Sequence, residues 1–377
     1  MKRKELLDAI SKLYPTITTN PIAEEMSFFK FDEGFLSASD GITWIRVKAP
    51  SDMKLNCLVP AQKLYKLISS MTAEEVDLSL KETSDEEGEL KIKAGKSIAT
   101  YKVPLEGGVL DDLDFDVDGW YDVPEDMIVG LRKTKFAAST DASRGVLCGV
   151  LLDDQDIIAA DGQRIARFRS SEALTEDGER IVLSMNLVNL LGNYKGLNEW
   201  TVEDDTAYFR SEDGTIIAGR TIDGDYPNAK EWLLQAKDAE GSVAFPKGAA
   251  ESLKRHLDQQ IDVSPMDKEV LVTFGGKSLK LASTDEEHSY TLDETLMLGE
   301  KVGQEIEFGI HPEFLLDILG STTTMRFSTK EETKFIVFDD KSFTYMATVD
   351  TGNEEEEEEE DNEDEDNRED YDEEVEE

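Results

Sequence analysis

The sequence predicts an α+β protein in which one unit, a short amphipathic helix followed by three or four short antiparallel strands, occurs six times. Three observations lead to this reading. Amphipathic helical stretches begin near residues 2, 60, 124, 184, 246 and 312, at intervals of roughly sixty residues. The stretches between them alternate apolar and polar residues and are broken by turn pairs such as Glu33-Gly34, Asp40-Gly41 and Asp161-Gly162, which read as antiparallel hairpins. The 377 residues are 39% apolar, enough to build cores for two or three domains.

The first helix, Lys2 to Tyr14, places Leu6, Leu7, Ile10 and Leu13 on one face. The second opens at Pro60 and carries Leu64, Leu67, Ile68 and Met71; the third follows Pro124 with Met127 and Leu131. The fourth opens near Ser184 with Leu187, Leu190, Leu191 and Tyr194. The fifth opens at Pro246 with Ala250, Leu253 and Leu257, and the sixth at Pro312 with Leu315, Ile318 and Leu319. Proline suits a first turn because the N–H it lacks has no intrahelical acceptor there. Strand character lies between the helices, most clearly over 26–50, 145–170 and 269–292. Two units make a domain, so the chain divides into 1–120, 121–240 and 241–352. A helix with one apolar stripe must cover a sheet face, and open sheet edges must be paired or protected. Joining the repeats edge to edge into a closed ring, helices inside, meets both demands and turns the polar helix faces toward the hole.

Charge is unevenly spread. Lys plus Arg number 40 and Asp plus Glu 84, a formal net charge of −44. Residues 353–377 hold nineteen acids and one base, Arg368, so this tail is expected to repel itself and stay disordered. The remaining body is still acidic, which at face value argues against a nucleic-acid partner, although local distribution can depart from net charge. The bases gather on the helical stretches: Lys4 and Lys12; Lys63 and Lys66; Arg132, Lys133 and Lys135; Lys195; Lys247, Lys254 and Arg255. One reading is a set of solvated faces. The other is a basic lining that holds a polyanion without sequence preference, and the absence of interleaved aromatics favours double-stranded over single-stranded nucleic acid.

Other classes fall away. No stretch approaches the ~18 apolar residues of a membrane helix, and Glu5, Asp8 and Lys12 interrupt the N-terminal stretch, so neither a membrane span nor export is expected and a cytoplasmic location is. Two cysteines, Cys57 and Cys148, fit a reducing compartment, and three histidines argue against a zinc or haem protein. Gly95-Lys96-Ser97 and Gly276-Lys277-Ser278 lack the earlier glycine of a phosphate loop and read as hairpin turns. Asp114-x-Asp116-x-Asp118-Gly119 with Glu125 matches the spacing of a calcium-binding helix–loop–helix, with Asp122 at the ninth position. No helix precedes it and Pro124 falls inside it, so an acidic linker between domains is the main reading and a calcium or magnesium site the other. No cofactor is otherwise expected.

With these residues in hand, the chain resembles the bacterial-type DNA sliding clamp, the β subunit of DNA polymerase III, over residues 1–349. Residues 158–166, IAADGQRIA, resemble the family's ATDGHRLA segment. Residues 220–228, RTIDGDYPN, resemble its L-x-G-x-[FY]-P-[DN]-Y segment, and Phe136 to Val150 resembles the strand leading into its middle domain. The resemblance implies three similar domains of the DNA-clamp fold with antiparallel sheets outside and two short helices per domain lining the hole. It also implies a non-enzymatic role, in which a head-to-tail homodimer encircles double-stranded DNA and tethers the replicative DNA polymerase after placement by a clamp loader. It implies a partner-peptide pocket between the second and third domains, carried here by Leu147, Gly162, Gln163, Arg164, Ile165, Pro227, Trp232, His311, Phe314, Tyr345 and Met346. Several positions depart from the family pattern: Ala160 stands for Thr, Gln163 for His, Glu231 for Arg, and Met346-Ala-Thr-Val349 for MPMR. These departures suggest an altered partner motif, as in a divergent or phage-encoded member acting in a phage-infected bacterial cell. Residues 13–29 contain no Lys or Arg, where the family has a basic loop. The rival readings are an acidic scaffold or DNA mimic of the same repeat fold, and a metal-dependent hydrolase built on the 114–125 loop.

Overall fold

A computed structural model describes residues 1–18, 21–50, 53–106, 114–176, 178–265, 267–285, 290–328 and 334–351. The acidic run 353–377 lies outside the described residues. Seven α-helices form among them: α1 (Arg3–Leu13), α2 (Ala61–Ser70), α3 (Met127–Thr134), α4 (Met185–Leu191), α5 (Ala229–Leu234), α6 (Ala249–Gln259) and α7 (Pro312–Leu319). Six of them are the helices read from periodicity. α5 was not expected; it is only six residues long, too short to show a period. No helix among the described residues is long and apolar enough to cross a membrane.

The strands of the first third are β1 (Phe28–Asp32), β2 (Phe35–Ser39), β3 (Thr43–Lys48), β4 (Asn56–Pro60), β5 (Asp77–Glu82), β6 (Glu87–Ala94) and β7 (Ser97–Pro104). Those of the second are β8 (Tyr121–Asp122), β9 (Gly149–Asp153), β10 (Asp156–Ala160), β11 (Arg164–Arg169), β12 (Arg180–Ser184), β13 (Leu197–Glu203), β14 (Thr206–Ser211) and β15 (Ile216–Arg220). Those of the last are β16 (Gly241–Ala244), β17 (Val270–Gly275), β18 (Ser278–Asp285), β19 (Tyr290–Met297), β20 (Ile306–Ile310), β21 (Thr324–Phe327), β22 (Phe335–Asp339) and β23 (Phe343–Thr348). All the pairings are antiparallel, as hairpin turns require.

The sheets do not stop at the thirds of the sequence. One eight-stranded sheet runs β4-β1-β2-β3-β15-β14-β13-β8, and a second runs β12-β9-β10-β11-β23-β22-β21-β16. The joins are β3 to β15, where Ile45 faces Ile217, and β11 to β23, where Ala166 faces Tyr345. Two smaller sheets, β19-β18-β17-β20 and β5-β6-β7, complete the fold. The sixfold repeat therefore pairs the first half of one third with the second half of the next.

Alternation sorts the core into layers. Ile45, Val47, Ala166, Phe168, Tyr345 and Ala347 point to one face, where the apolar stripes of α1, α2, α3, α4, α6 and α7 meet them in one continuous cluster. The helices pack in pairs, α1 on α2, α3 on α4 and α6 on α7. On the opposite face lie two smaller clusters. Trp44, Tyr208 and Ala218 of the first joined sheet are covered by Phe115 and Val117. Ile158, Ile165 and Met346 of the second are covered by Ala229 and Leu233 of α5.

The turns follow the sequence signals. Asp40 Oδ1 accepts from Ile42 N and Thr43 N, and one domain on Asp161 Oδ1 accepts from Gln163 N and Arg164 N. Gly41 and Gly162 supply the positive φ these turns need, +88° and +98°. The two Gly-Lys-Ser segments are hairpin turns between β6 and β7 and between β17 and β18. Cys57 is buried and Cys148 half-buried, both as free thiols.

Candidate partner-peptide site and helix face

The Asp161–Gly162 turn launches β11 and fixes Arg164 at its first position. Asp161 Oδ2 accepts from Arg164 Nε at 2.8 Å, and Asp317 Oδ2 on α7 accepts from Arg164 Nη1 at 2.6 Å. The guanidinium centre sits 4.4 Å from the Phe314 ring centroid. Burial opposes the charge, but the Tyr345, Asp161 and Asp317 oxygens outweigh it and raise the Arg164 pKa. Tyr345 is fully buried and its hydroxyl donates to Phe314 O at 3.0 Å. Burial pushes this phenol far up, so it stays a neutral donor. His311 caps α7: its Nδ1 accepts from Glu313 N at 3.3 Å while Nε2 donates to Pro265 O at 3.0 Å. Burial lowers the His311 pKa and outweighs the Pro265 bond, which keeps the ring neutral.

The eleven expected pocket residues do not open onto one surface. Arg164, Phe314 and Tyr345 lie on the helix side of the second joined sheet. Ile165 and Met346, direct cross-strand partners, lie on the other side, packed with Tyr226 and α5 and bordered by Leu147. A strand's period of two allows nothing else for Arg164 and Ile165, which are adjacent. Gln163, His311 and Phe314 do share a cleft, of about 820 Å³, with residues 267–269, 309–310 and 348–351. Gln163 and Gly162 are exposed at the turn, Pro227 is exposed before α5, and Trp232 on α5 is 38% exposed. Tyr345 has no surface of its own and supports Phe314. Asp161 and Asp317, which hold Arg164, were not anticipated. An Asp before Gly at a turn marks the first; no local pattern marks the second, because α7 meets β11 only through the fold.

The basic residues sit on or beside the helices that cover one sheet face. Lys4, Lys63 and Lys66 are exposed on α1 and α2 and have no ion-pair partner among the described residues. Lys195 and Lys247 are exposed too, but off the helices: α4 ends at Leu191 and α6 begins at Ala249, after Gly248 at φ +92°. Lys135 lies in the single 3₁₀ turn after α3 and donates to Asn189 Oδ1 at 2.7 Å. Arg132 donates to Gly192 O. Four more are tied to acids: Lys12 to Asp213, Lys133 to Asp340, Lys254 to Asp258 and Arg255 to Glu294. The basic face is thus part ion-paired and part open.

The acidic quartet does not converge. Phe115 and Val117 turn inward onto the first joined sheet, so Asp114, Asp116 and Asp118 turn outward along an extended segment, and Glu125 lies beyond β8. Among the described residues no group of three or more His, Cys, Asp or Glu could hold a metal ion. Extended backbone spreads alternate carboxylates in a row, where a calcium loop must curl them around one point.

No family model matches the chain and no curated protein matches its sequence. Solved structures do match its fold. The β subunit from a DNA polymerase of Streptococcus pyogenes aligns with 93% of this chain and 98% of its own, at 18% identity and a TM-score of 0.74. The DNA polymerase III subunit β of Pseudomonas aeruginosa covers the same shares at 17% identity and a TM-score of 0.71. The fold is that of the bacterial sliding clamps. A DNA polymerase sliding clamp from Bacillus subtilis agrees, covering 93% of this chain and 97% of its own at 15% identity and a TM-score of 0.71. At such identities the likeness is one of architecture: the clamp fold tolerates replacement of more than four residues in five while the helix and strand pattern persists.

Proposed function

We propose that this chain is a processivity clamp, a non-enzymatic ring of two copies that encircles double-stranded DNA and tethers a replicative polymerase. The observation that carries the reading is which sheet edges the chain leaves open. β3 pairs with β15 and β11 with β23, so the third strand of each first half-domain joins the third strand of the next second half-domain. The remaining members of this series are β19 and β7, and both are edge strands. Each exposes a large apolar side chain, Met297 on β19 and Ile98 on β7. Open edges of this kind invite pairing. A second copy, head to tail, offers β7 to β19 and β19 to β7, which closes the ring with no edge of this series left over. The exposed Asp293 of β19 and Lys102 of β7 bring opposite charges to that contact.

In this reading the domains divide near residues 120 and 240, and the helix side carries the DNA-facing bases, with Lys4, Lys63, Lys66, Lys195 and Lys247 open to phosphate. Partner peptides dock at the junction of the second and third domains, where the cleft at Gln163, His311 and Phe314 lies on one side of the sheet and Trp232 on the other. A clamp loader opens the ring, in the cytoplasm of a bacterial or phage-infected cell. The test is topological. A ring loaded on nicked circular plasmid stays bound through gel filtration in high salt and slides off once the DNA is linearised. Simple charge attraction instead fails in high salt on both substrates. Equal retention on circular and linear DNA overturns the proposal.

A further inference from the structure

The segment 114–122 crosses the outer face of the first joined sheet and presents three aromatic rings. Arg46 lies over Phe115, 4.3 Å from the ring centroid, with the charges of Asp114 and Asp116 acting on it. Arg210 lies over Trp120 at 4.1 Å and makes a two-pronged pair with Glu199, at 2.6 and 2.8 Å. The third ring, Tyr121 on β8, is 64% exposed, and no cation among the described residues stacks on it. It borders a cleft of about 760 Å³ floored by Leu174 and Trp200. Among the described residues, five carboxylates line that cleft, Asp122 and Glu203 among them, and no Lys or Arg does.

We propose that this cleft binds an arginine side chain on an extended segment of a partner protein. The ring, the flanking carboxylates and the apolar floor are the three things an arginine uses: a face for its planar guanidinium, acceptors for its fork, and cover for its methylenes. The chain assembles ring and carboxylate around its own arginines twice within a few residues of this spot. In so acidic a chain, exposed carboxylates alone make a solvated face. The uncovered ring above an apolar floor is what sets this place apart. Lysine fits less well, because its ammonium neither stacks as a plane nor forks. The cleft is lined by residues 118–119, 121–122, 173–176, 179, 181 and 200–203, none of which belongs to the candidate peptide site at Gln163, His311 and Phe314.

The test uses the full chain at 0.15 M salt and a capped heptapeptide with one central arginine between leucines, followed by saturation-transfer NMR. Transfer to the arginine methylene protons is expected with the unaltered chain and with Tyr121→Phe, which keeps the ring. Tyr121→Leu, or Asp122→Asn with Glu203→Gln, should weaken binding about fivefold. Citrulline in place of arginine should abolish the signal, and Trp232→Ala should leave it unchanged. Equal binding by the Tyr121→Leu chain, equal binding of the citrulline peptide, or no transfer with the unaltered chain would each overturn the proposal. None of these outcomes depends on whether the chain encircles DNA.

Discussion

Lys12 Nζ at the end of α1 lies 2.5 Å from Asp213 Oδ2, and one domain further on Lys133 Nζ of α3 lies 3.5 Å from Asp340 Oδ2. In both places a helix of one domain reaches the hairpin turn of the next, beside the strands that join them. Lys133 also stands 5.6 Å from the rings of Phe168 and Phe343, which face each other across the join. Each junction is therefore a sheet seam with a charged latch at its helix end.

In the proposed ring of two copies, the same construction predicts the contact between them. The third helix of the series is α6, and the third hairpin is the turn between β6 and β7. Near the end of α6 the residue is Asp258, and the turn carries Lys96, so the polarity is reversed. Lys96→Glu should shift the chain toward monomer in sedimentation velocity, and adding Asp258→Lys should restore the dimer. If the double variant is as monomeric as the single one, the latch has been misplaced.

The first latch should be visible in acid. Partial burial alone would raise the Asp213 carboxyl, but bonds from Lys12, Ser211 and Thr215 outweigh it and hold the group well below the usual carboxylate range. A carboxyl lowered in the folded state stabilises above its unfolded pKa, and that contribution is lost as pH falls through the folded one. Lys12→Met should therefore move the acid-unfolding midpoint, followed by circular dichroism, to higher pH. An unchanged midpoint would mean that the pair contributes nothing measurable, as exposed pairs often do.

Arg164 should behave as a strut rather than a free grip. Arg164→Met leaves Asp317 without its cation and Phe314 without its stacking partner, at a cost of about 2 kcal/mol. Urea unfolding measures this, and Arg164→Met combined with Asp317→Leu should recover part of the loss. Full stability in the single variant would show that the guanidinium is not needed to hold α7 on β11.

Gly130 tests how closely α3 lies on its sheet. A Cβ there would clash with Ile157 Cδ1 and lie 2.6 Å from Phe168 Cδ1. Alanine gains about 1 kcal/mol in an exposed helix, but overpacking a tight core costs about 1–3 kcal/mol. Gly130→Ala should thus lower the unfolding free energy, and a stabilised variant would mean that the helix can lift away freely.

Much of this was legible in order along the chain. The stripes of Leu6, Ile10 and Leu13, or of Leu315, Ile318 and Leu319, declare helices because burial of one face needs a 3.6-residue period. Asp161 and Gly162 declare a turn because an aspartate can accept from the backbone two and three residues on. The helix α5 was missed because six residues cannot display a period. The pocket residues came only from the resemblance, position by position, and the resemblance is silent on the pleat that sends Arg164 and Ile165 to opposite faces of the sheet.

What the sequence by itself determined is the local and repeating part: six helix-and-strand units, their turns, the basic helical stretches in an acidic chain, and two unpaired thiols. Each depends on residues a few positions apart, and such patterns survive without knowledge of the fold. Which strands meet across the domain seams was decided only in three dimensions. So were the assignment of Asp213 to Lys12 and of Asp317 to Arg164, and the outward row of Asp114, Asp116 and Asp118. These contacts join residues separated by up to 201 positions, as Lys12 and Asp213 are. No local period encodes a partner at that distance; only the packing of helices on joined sheets brings the two groups within reach.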